Sequence, residues 1–269
     1  MIIPKKKFGQ NFLKDEAILY KIIESIPHSD RVTVEIGSGL GDLTQKLLEQ
    51  KKRVIAFEVD RDLCNILEKK FRKEIENKTL ELNCGDVLKE WEGENLIQED
   101  YNLVANLPYY IATNIILKAL ADKYCKSITV MVQKEVALKF VAKSKDRNFS
   151  ALSILANLIC KTKILFDVEA EKFYPPPKVT SSVLQMIKIK EFISEKEGIF
   201  KSYAEFKGFE TFLKEAFKAP RKTLLKNLSG KFSKEKIEKF YKENNIIPTI
   251  RPHELDLSLY HLLFKKLNK

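Results

Sequence analysis

Residues 106–110 read Asn-Leu-Pro-Tyr-Tyr and directly follow the apolar run at 101–105. A turn often uses an asparagine and a proline, but it does not need two tyrosines. Together these groups could serve methylation of the exocyclic amine of adenine. That nitrogen is a poor nucleophile because its lone pair is delocalised into the ring. It attacks well when hydrogen-bond acceptors hold its hydrogens and the nitrogen becomes pyramidal.

The side-chain carbonyl of Asn106 and the backbone carbonyl of Leu107 can supply two such acceptors. Pro108 fixes its own φ and biases Leu107 to an extended conformation. Tyr109 offers an aromatic face on which a base can stack, a contact worth about 1–3 kcal/mol. Acceptors held in place beside a nitrogen that becomes positive catalyse electrostatically, without a metal or a separate base. Taken alone, the segment also fits a strand–helix loop with a buried tyrosine.

A second candidate for base stacking lies in the segment Phe-Tyr-Pro-Pro-Pro-Lys-Val at 173–179. Its three prolines stiffen the loop, so Phe173 or Tyr174 could be held over a flipped base. The alternative is a proline-rich hairpin connection whose aromatic side chains lie in the core.

A glycine turn and two carboxylates indicate a nucleotide pocket. Gly37 and Gly39 belong to the turn Gly-Ser-Gly-Leu-Gly after an apolar run, where glycines allow a sharp turn and close ligand approach. Glu58 ends a second such run, at a position suited to accept from ribose hydroxyls. Asp86 follows a third and could accept from an adenine amine. Separately, Glu58 could instead cap a helix and Asp86 could be a turn residue.

The kind of nucleotide is narrowed by missing motifs. No Gly-Lys-Ser/Thr follows an apolar run, which excludes a P-loop. The glycine spacing is G-x-G-x-G, narrower than the G-x-G-x-x-G of dinucleotide folds. S-adenosylmethionine fits a pocket with carboxylates and no phosphate-binding loop, so we expect it as the cofactor.

Short β-branched runs alternate with helical patterns through most of the chain and must position these residues. Alternation of this kind predicts an α/β fold with a mostly parallel sheet covered on both faces. The runs at 163–168 and 183–189 have no long helix between them, which predicts a terminal antiparallel hairpin. The runs predicted as parallel strands are 32–36, 54–58, 79–83, 102–105 and 128–132.

After about residue 190 the strand pattern ends, and from Tyr203 the apolar residues follow helical spacing. We therefore predict two domains. The first, residues 1–190, carries the catalytic site and has an N-terminal segment at 1–20. The second, residues 191–269, is a small domain of three or four helices.

The bulk composition favours a polyanionic partner. The net charge is +11 and the sequence pI is about 9.2, and phosphates attract lysines without regard to sequence. The alternative is that lysines fill solvated faces. No apolar run approaches the roughly 18 residues of a membrane span. The N-terminus lacks an apolar core of signal-peptide length, so we expect a cytoplasmic protein.

The cysteines and histidines do not predict a metal site. The four cysteines and three histidines are scattered, and no Cys-x-x-Cys pair occurs. We expect no metal, and reduced, partly buried thiols.

The chain closely resembles the rRNA adenine N6-dimethyltransferases. Two C-terminal motifs, at 220–228 and 251–255, are similar to those of the KsgA type, which acts on small-subunit rRNA. The motifs that carry the wider resemblance are K-K-x-F-G-Q-N-F-L (5–13), V-E-I-G-S-G-L-G-D-L-T (34–44), E-V-D-R-D-L (58–63), N-L-P-Y (106–109), M-V-Q-K-E-V-A (131–137) and F-Y-P-P-P-K-V-T-S-S-V (173–183).

The resemblance implies a class I methyltransferase fold with a seven-stranded sheet and a helical C-terminal domain. It implies S-adenosylmethionine-dependent dimethylation of two adjacent adenosines in the 3′-terminal hairpin of 16S rRNA. It also implies a role in small-subunit assembly, with the immature 30S subunit as partner, and we expect a monomer. Two alternatives stay open: a 23S rRNA methylase of the erythromycin-resistance type, and a non-catalytic nucleic-acid-binding relative.

The resemblance also implies residue roles. Asn11 and Leu13 contact the cofactor from the N-terminal segment, and Asn106 belongs to both sites. The remaining cofactor residues are Gly37, Gly39, Glu58 and Asp86. The base is held by Asn106, Leu107, Tyr109 and Phe173, with Pro108 setting the loop. The chain departs from the family at Tyr110 and Ala112, which replace an asparagine and a serine, and at Ser38, which replaces a proline.

Overall fold

The computed structural model describes residues 3–91, 93–190, 193 and 198–268. The chain divides into two units, Met1–Ala137 with Lys163–Lys188, and Leu138–Thr162 with Ile189–Lys269. The division after residue 188 lies close to the predicted domain boundary after residue 190. It differs from the prediction in that residues 138–162 group with the second unit.

Nine strands and twelve α-helices occur in the described residues. The strands are β1 (Phe12–Leu13), β2 (Val32–Ile36), β3 (Val54–Glu58), β4 (Leu80–Cys84), β5 (Tyr101–Asn106), β6 (Cys125–Gln133), β7 (Cys160–Val168), β8 (Phe173–Tyr174) and β9 (Ser181–Lys188). The helices are α1 (Glu16–Glu24), α2 (Asp42–Glu49), α3 (Arg61–Lys70), α4 (Arg72–Glu76), α5 (Val87–Glu90), α6 (Tyr109–Ala121), α7 (Lys134–Val141), α8 (Ala151–Asn157), α9 (Tyr203–Phe217), α10 (Leu224–Leu228), α11 (Lys234–Glu243) and α12 (Leu257–Leu267). Short 3-10 helices occur at Lys6–Phe8, Ala170–Lys172 and Pro252–Glu254.

The main sheet has seven strands in the order β4-β3-β2-β5-β6-β9-β7. Neighbouring strands from β4 to β6 pair in parallel, and β9 pairs antiparallel to β6. The chain runs outward in one direction from β2 to β4 and in the other from β5 to β6. Between β2 and β5 lies a topological switch point, where open α/β sheets bind ligands at the carboxyl ends of strands. The predicted mostly parallel sheet is confirmed.

The central strands form because β-branched and aromatic side chains fill a sheet covered on both faces. Every residue of β2, Val-Thr-Val-Glu-Ile, and of β3, Val-Ile-Ala-Phe-Glu, is buried. Such continuous apolar runs are typical of parallel strands rather than of half-exposed antiparallel ones. Both strands end in or just after a buried glutamate, which the apolar environment alone would not favour.

A second, two-stranded sheet joins the N-terminal segment to the proline-rich loop. In it Phe12 pairs with Tyr174 and Leu13 with Phe173. Leu13 and Phe173 are both 5% exposed and pack in the core of the first unit. The small sheet therefore fixes residues 12–13 beside the main sheet.

The helices α9 to α12 of the second unit lie in the part of the chain, after residue 190, where the sequence predicts helices. The core of this unit is rich in aromatic rings. Phe209 of α9 lies 5.2 Å from Phe264 of α12, measured between ring centroids, in an edge-on arrangement. Phe212, one turn along α9, packs on the same ring at 5.7 Å. Aromatic pairs at such distances add to the free energy gained from burial alone.

The cysteines correct one expectation. Cys64 of α3 and Cys84 of β4 form a disulfide, with Cα atoms 6.0 Å apart, so the prediction of reduced thiols is wrong for this pair. The pairing was missed because the packing of α3 on the sheet, not a short sequence motif, brings the two residues together. Cys125 and Cys160 are both buried.

Two properties of the described residues bear on membranes and metals. No helix in residues 3–91, 93–190 or 198–268 combines the length and the apolar character needed to cross a membrane. The same part of the chain holds no group of three or more side chains suited to bind a metal ion.

Candidate functional site

A cavity of about 250 Å³ lies at the carboxyl ends of the central strands in the first unit. It collects the turns that follow β2, β3, β4 and β5, together with the N-terminal segment. The predicted site residues on its wall are Asn11, Leu13, Gly37, Gly39, Glu58, Asp86, Asn106, Leu107, Pro108 and Tyr109. Of the predicted set, Phe173 alone is not on this wall.

The β2–α2 turn needs its glycines for two reasons. Gly37 and Gly39 have φ values of 80° and 59°, which side-chain-bearing residues rarely adopt. A Cβ on Gly39 would lie 3.2 Å from Cδ1 of Phe12. A Cβ on Gly37 would contact Cδ of Pro108 at 3.6 Å and narrow the cavity. Glycines therefore keep open the part of the cavity next to this turn, which a larger residue would fill.

Glu58 places a buried carboxylate at the end of β3. Its Oε2 accepts the backbone N–H of Gly39 at 2.8 Å, and its Oε1 accepts that of Asp60 at 2.9 Å. Burial raises the pKa of Glu58, and these backbone hydrogen bonds oppose the rise. Each carboxylate oxygen keeps a lone pair for a ligand. Asp60, rather than Glu58, caps α3, so the helix-capping alternative for Glu58 does not apply.

Asp86 both caps a helix and faces the cavity. Its Oδ1 accepts the backbone N–H of Leu88 at 3.0 Å at the start of α5. In the described part of the chain no group donates to Oδ2, which leaves that oxygen to accept from a ligand amine.

Asn106 ends β5 with its amide held in one orientation. Its Nδ2 donates to the backbone carbonyl of Asn11 at 3.0 Å. Because a carbonyl only accepts, the amide atom facing it must be the nitrogen, and the oxygen must point elsewhere. No described residue donates to Oδ1 of Asn106. The N-terminal segment thus fixes an amide oxygen as a free acceptor at the cavity wall.

The residues after Asn106 also line the cavity, as far as the first turn of α6. The Leu107 N–H donates to the Met131 carbonyl at 3.2 Å, while the Leu107 carbonyl accepts from no group in the described ranges. Pro108, with φ −56° and ψ 127°, precedes the first turn of α6. The Tyr109 hydroxyl bonds the Ser181 hydroxyl at 2.7 Å, which fixes the ring at the wall.

Phe173 lies in the core of the first unit, in the two-stranded sheet, and only its neighbour Tyr174 is half exposed. The proline-rich segment is compatible with two predictions, a stacking role for Phe173 and a hairpin with buried aromatic side chains, and the observed burial agrees with the second. The structure does not bring Phe173 together with Asn106 on the cavity wall.

A salt-bridge network that sequence reasoning missed anchors the N-terminal segment. Lys5 Nζ lies 2.6 Å from Asp60 Oδ1 and 2.5 Å from Asp62 Oδ2. Gln10 Nε2 donates to Asp60 Oδ2 at 2.8 Å. Burial raises the pKa of Asp60, but the hydrogen bonds from Lys5 and Gln10 outweigh it and hold that pKa below its usual value. Lys5 and Gln10 fall inside the motif at 5–13, yet only the fold reveals their partner.

Glu35, beneath the glycine turn, was also missed. It is 1% exposed, and its Oε2 accepts hydrogen bonds from Thr44 at 2.5 Å and from Ser38 at 3.1 Å. Burial raises the pKa of Glu35 to about 7, against the effect of the two hydroxyls. The Ser38 hydroxyl thereby gains a function that a proline could not serve. The sequence signal for this network is an acidic residue within an apolar run, with hydroxyl residues three and nine positions after it.

This donor and acceptor set suits S-adenosylmethionine. A positively charged ligand favours a cavity with carboxylates, and its adenosine needs acceptors for ribose hydroxyls and an exocyclic amine. Glu58 and Asp86 provide such acceptors, and the glycine turn provides close approach to the backbone.

Comparison with known proteins decides the family. Residues 3–269 match the family described as Ribosomal RNA adenine dimethylase. The chain belongs to the ribosomal RNA adenine dimethylases. It is therefore a class I, S-adenosylmethionine-dependent rRNA methyltransferase, and the resemblance read from the sequence motifs is confirmed.

Individual relatives agree with this family. The chain is 53% identical over 266 residues to the Ribosomal RNA small subunit methyltransferase A of Campylobacter concisus (strain 13826), covering 98% of this chain and 94% of the relative. A dimethyladenosine transferase from Plasmodium falciparum has a similar structure, with TM-score 0.74 and 26% identity over 95% of this chain and 97% of that one. The 23S rRNA methyltransferase ErmE shares the fold, with TM-score 0.71 and 20% identity over 96% of this chain and 100% of that one.

Proposed function

We propose that this dimethylase methylates N6 of two adjacent adenosines in the 3′-terminal hairpin of 16S rRNA, within an immature 30S subunit. The observation that carries the chemistry is the free Oδ1 of Asn106, held at the cavity wall by the bond from Nδ2 to Asn11. The name of the C. concisus relative, a small-subunit rRNA methyltransferase, supports the choice of subunit.

The cofactor-holding residues follow from the cavity wall. Glu58 accepts hydrogen bonds from the ribose hydroxyls, and Asp86 accepts one from the adenine amine. The turn at Gly37 and Gly39 lets the ligand approach the backbone closely. Asn11 and Leu13 close the cavity from the N-terminal side. S-adenosylmethionine, when bound, supplies a methyl group activated by the neighbouring sulfonium.

The target amine is held by acceptors rather than deprotonated in advance. The Oδ1 of Asn106 and the carbonyl of Leu107 accept its two hydrogens, so the nitrogen lone pair is directed at the methyl carbon. As the new N–C bond forms and the S–C bond breaks, positive charge develops on nitrogen. The two oxygens stabilise that charge. The nitrogen then releases a proton to water. In the second transfer the monomethylated amine has one hydrogen left, which one of the two oxygens accepts, and the nitrogen again loses its proton after the methyl group is added.

Tyr109 holds the base in place. Its ring lines the cavity three residues after Asn106, and the bond to Ser181 stops it from rotating away. Burial raises the pKa of Tyr109, so the phenol stays neutral. Stacking on such a ring is worth about 1–3 kcal/mol per base. A stacking role for Phe173 stays a prediction.

The charge of the chain supports an RNA partner. A net charge of +11 favours phosphate binding. Arg221 and Lys222 are exposed and enter no ion pair among residues 198–268, whereas Lys5 is held by Asp60 and Asp62. We assign catalysis to the first unit and propose that the helical second unit contributes Arg221 and Lys222 to the RNA surface. We further infer that the protein acts as a monomer in the cytoplasm.

Mass spectrometry of rRNA from a strain lacking the gene tests this function. We expect both dimethyladenosines to disappear from 16S rRNA and to return when the wild-type gene is restored. Persistence of both would show that the assignment is wrong. Loss of a methylated adenosine from 23S rRNA instead would assign the chain to the large subunit.

A further inference from the structure

Tyr110 is a large aromatic side chain whose position the fold itself does not require. It is the second residue of α6, and its side chain is 60% exposed. The helix buries other residues, including Ala112, Ile115 and Ile116, on its core face. Yet Tyr110 belongs to the cavity wall. An exposed ring on a ligand cavity is better placed to bind than to stabilise the fold.

The ring of Tyr110 lies against the N-terminal segment. A Cβ placed on Gly9 would lie 3.3 Å from Cδ1 and 3.5 Å from Cε1 of Tyr110. Gly9 has a φ of 59° and ends the 3-10 helix Lys6–Phe8, so the segment turns there without a side chain between backbone and ring. Tyr110 therefore meets the segment that also covers the cavity with Asn11 and Phe12.

The phenol shares the cavity with the carboxylates assigned to the cofactor. Partial burial raises the pKa of Tyr110, and the negative charges of Asp86 and Glu58 raise it further. The ring is thus a neutral aromatic on the side of the cavity where those carboxylates act. S-adenosylmethionine offers two groups that aromatic faces attract, a sulfonium cation and an adenine ring.

We propose that Tyr110 is a cofactor-binding residue: its ring covers the solvent side of the cavity over bound S-adenosylmethionine and keeps the Gly9 turn closed on it. The inference rests on the proposed function of the cavity as the cofactor site. The ligand of the Tyr110 ring is the cofactor. The competing outcome of the test is that an RNA base stacks on this ring instead.

Isothermal titration calorimetry of the full chain with S-adenosylmethionine, which carries both the sulfonium and the adenine ring, tests the proposal without RNA. Tyr110→Asn and Tyr110→Ala should each raise the Kd by roughly tenfold, since a cation–π or stacking contact has about that effect. Tyr110→Phe keeps the ring and should stay within about twofold of wild type. The matched control is Tyr20→Asn, a tyrosine that is 46% exposed on α1 and lies off the cavity wall.

Melting temperatures and binding constants together distinguish cofactor binding from RNA binding by Tyr110. Both Tyr110 variants should melt within about 4 °C of wild type, because the side chain is mostly exposed. Unchanged Kd values in the folded variants would overturn the proposal, and a loss confined to binding of a 16S rRNA hairpin would assign the ring to RNA. A wild-type chain that binds S-adenosylmethionine but methylates no 16S rRNA would contradict the proposed substrate. The same titrations would still decide the role of Tyr110, because they measure cofactor binding without RNA.

Discussion

The side-chain nitrogen of Asn106 donates to the backbone carbonyl of Asn11, 95 residues earlier in the chain, at 3.0 Å. This bond links two motifs that the sequence keeps far apart. It orients the amide so that the oxygen is left for a ligand, and it does so from the segment that also covers the cavity. The segment that lines the cavity therefore also orients the proposed acceptor.

Asn106→Ala should lower the rate of methyl transfer by roughly a hundredfold or more, since one preorganised polar group at a developing charge has that effect. Binding of the rRNA should change little, because the many phosphate contacts remain. Single-turnover transfer and filter binding measure the two effects. Asn114→Ala, at an exposed asparagine on the helix α6 that follows β5, is the control. Comparable turnover by Asn106→Ala would remove the acceptor role.

Asp60→Asn should weaken binding of S-adenosylhomocysteine by roughly tenfold, because it removes the charge that holds Lys5 and Gln10. The control is Asp62→Asn, whose side chain is 75% exposed and holds only Lys5; a shift under about twofold is expected there. Calorimetry gives both constants. Equal effects of the two changes on the Kd would show that the buried position of Asp60 does not matter for holding the N-terminal segment at the cavity.

Glu35 should make stability fall as pH rises. Its pKa is raised from 4.5 to about 7 in the folded protein, so the folded state holds the proton more tightly than the unfolded state. This contribution is complete below pH 4.5 and is lost as pH rises through about 7, a change of about 3 kcal/mol.

Urea unfolding of wild type and Glu35→Gln between pH 4 and 8 measures this contribution. The variant keeps an acceptor for Thr44 and Ser38 but does not titrate. The free energy of unfolding of wild type minus that of the variant should fall across this range. Parallel pH profiles for the two proteins would show that Glu35 does not bind the extra proton.

Phe173 can be assigned to packing or to base stacking by two substitutions. Phe173→Ala should lower the free energy of unfolding by about 3–5 kcal/mol, because the ring is buried with Leu13. Phe173→Leu should cost less than about 1.5 kcal/mol and, on the packing account, leave methyl transfer within about threefold of wild type. A stable Phe173→Leu protein with transfer reduced more than tenfold would instead support stacking.

RNA binding should depend steeply on salt. Replacing both Arg221 and Lys222 by alanine should reduce the slope of log K against log salt by about 2, one for each lost phosphate contact. Arg221→Lys keeps the charge and should leave the slope unchanged. Filter binding of a 16S rRNA hairpin at several salt concentrations measures the slopes; an identical slope for the double variant would place the RNA surface elsewhere.

The central strands and the cavity residues could be predicted because local sequence determines them. β2 and β3 occupy the predicted residues 32–36 and 54–58, since continuous β-branched runs bounded by a glycine turn or an acidic residue have few other solutions. The predicted runs near 80, 103 and 130 are also strands, with shifted ends. Strand ends then place Glu58, Asp86 and Asn106 together by topology alone.

The features that were missed depend on contacts across long stretches of chain. β1 and β8 have two residues each, too few for any periodicity. Lys5 and Asp60 lie 55 residues apart, and only packing of the N-terminal segment brings them together. The burial of Phe173 depends on the sheet that β1 and β8 form. Patterns within a window of sequence carry no information about such pairs.

The most direct test is incubation of the purified protein with labelled S-adenosylmethionine and unmethylated 30S particles, followed by mapping of the modified bases. The proposed function predicts two labelled methyl groups on N6 of each of two adjacent adenosines in the 3′-terminal hairpin of 16S rRNA. Label at another base, or transfer only to 23S rRNA, would contradict it.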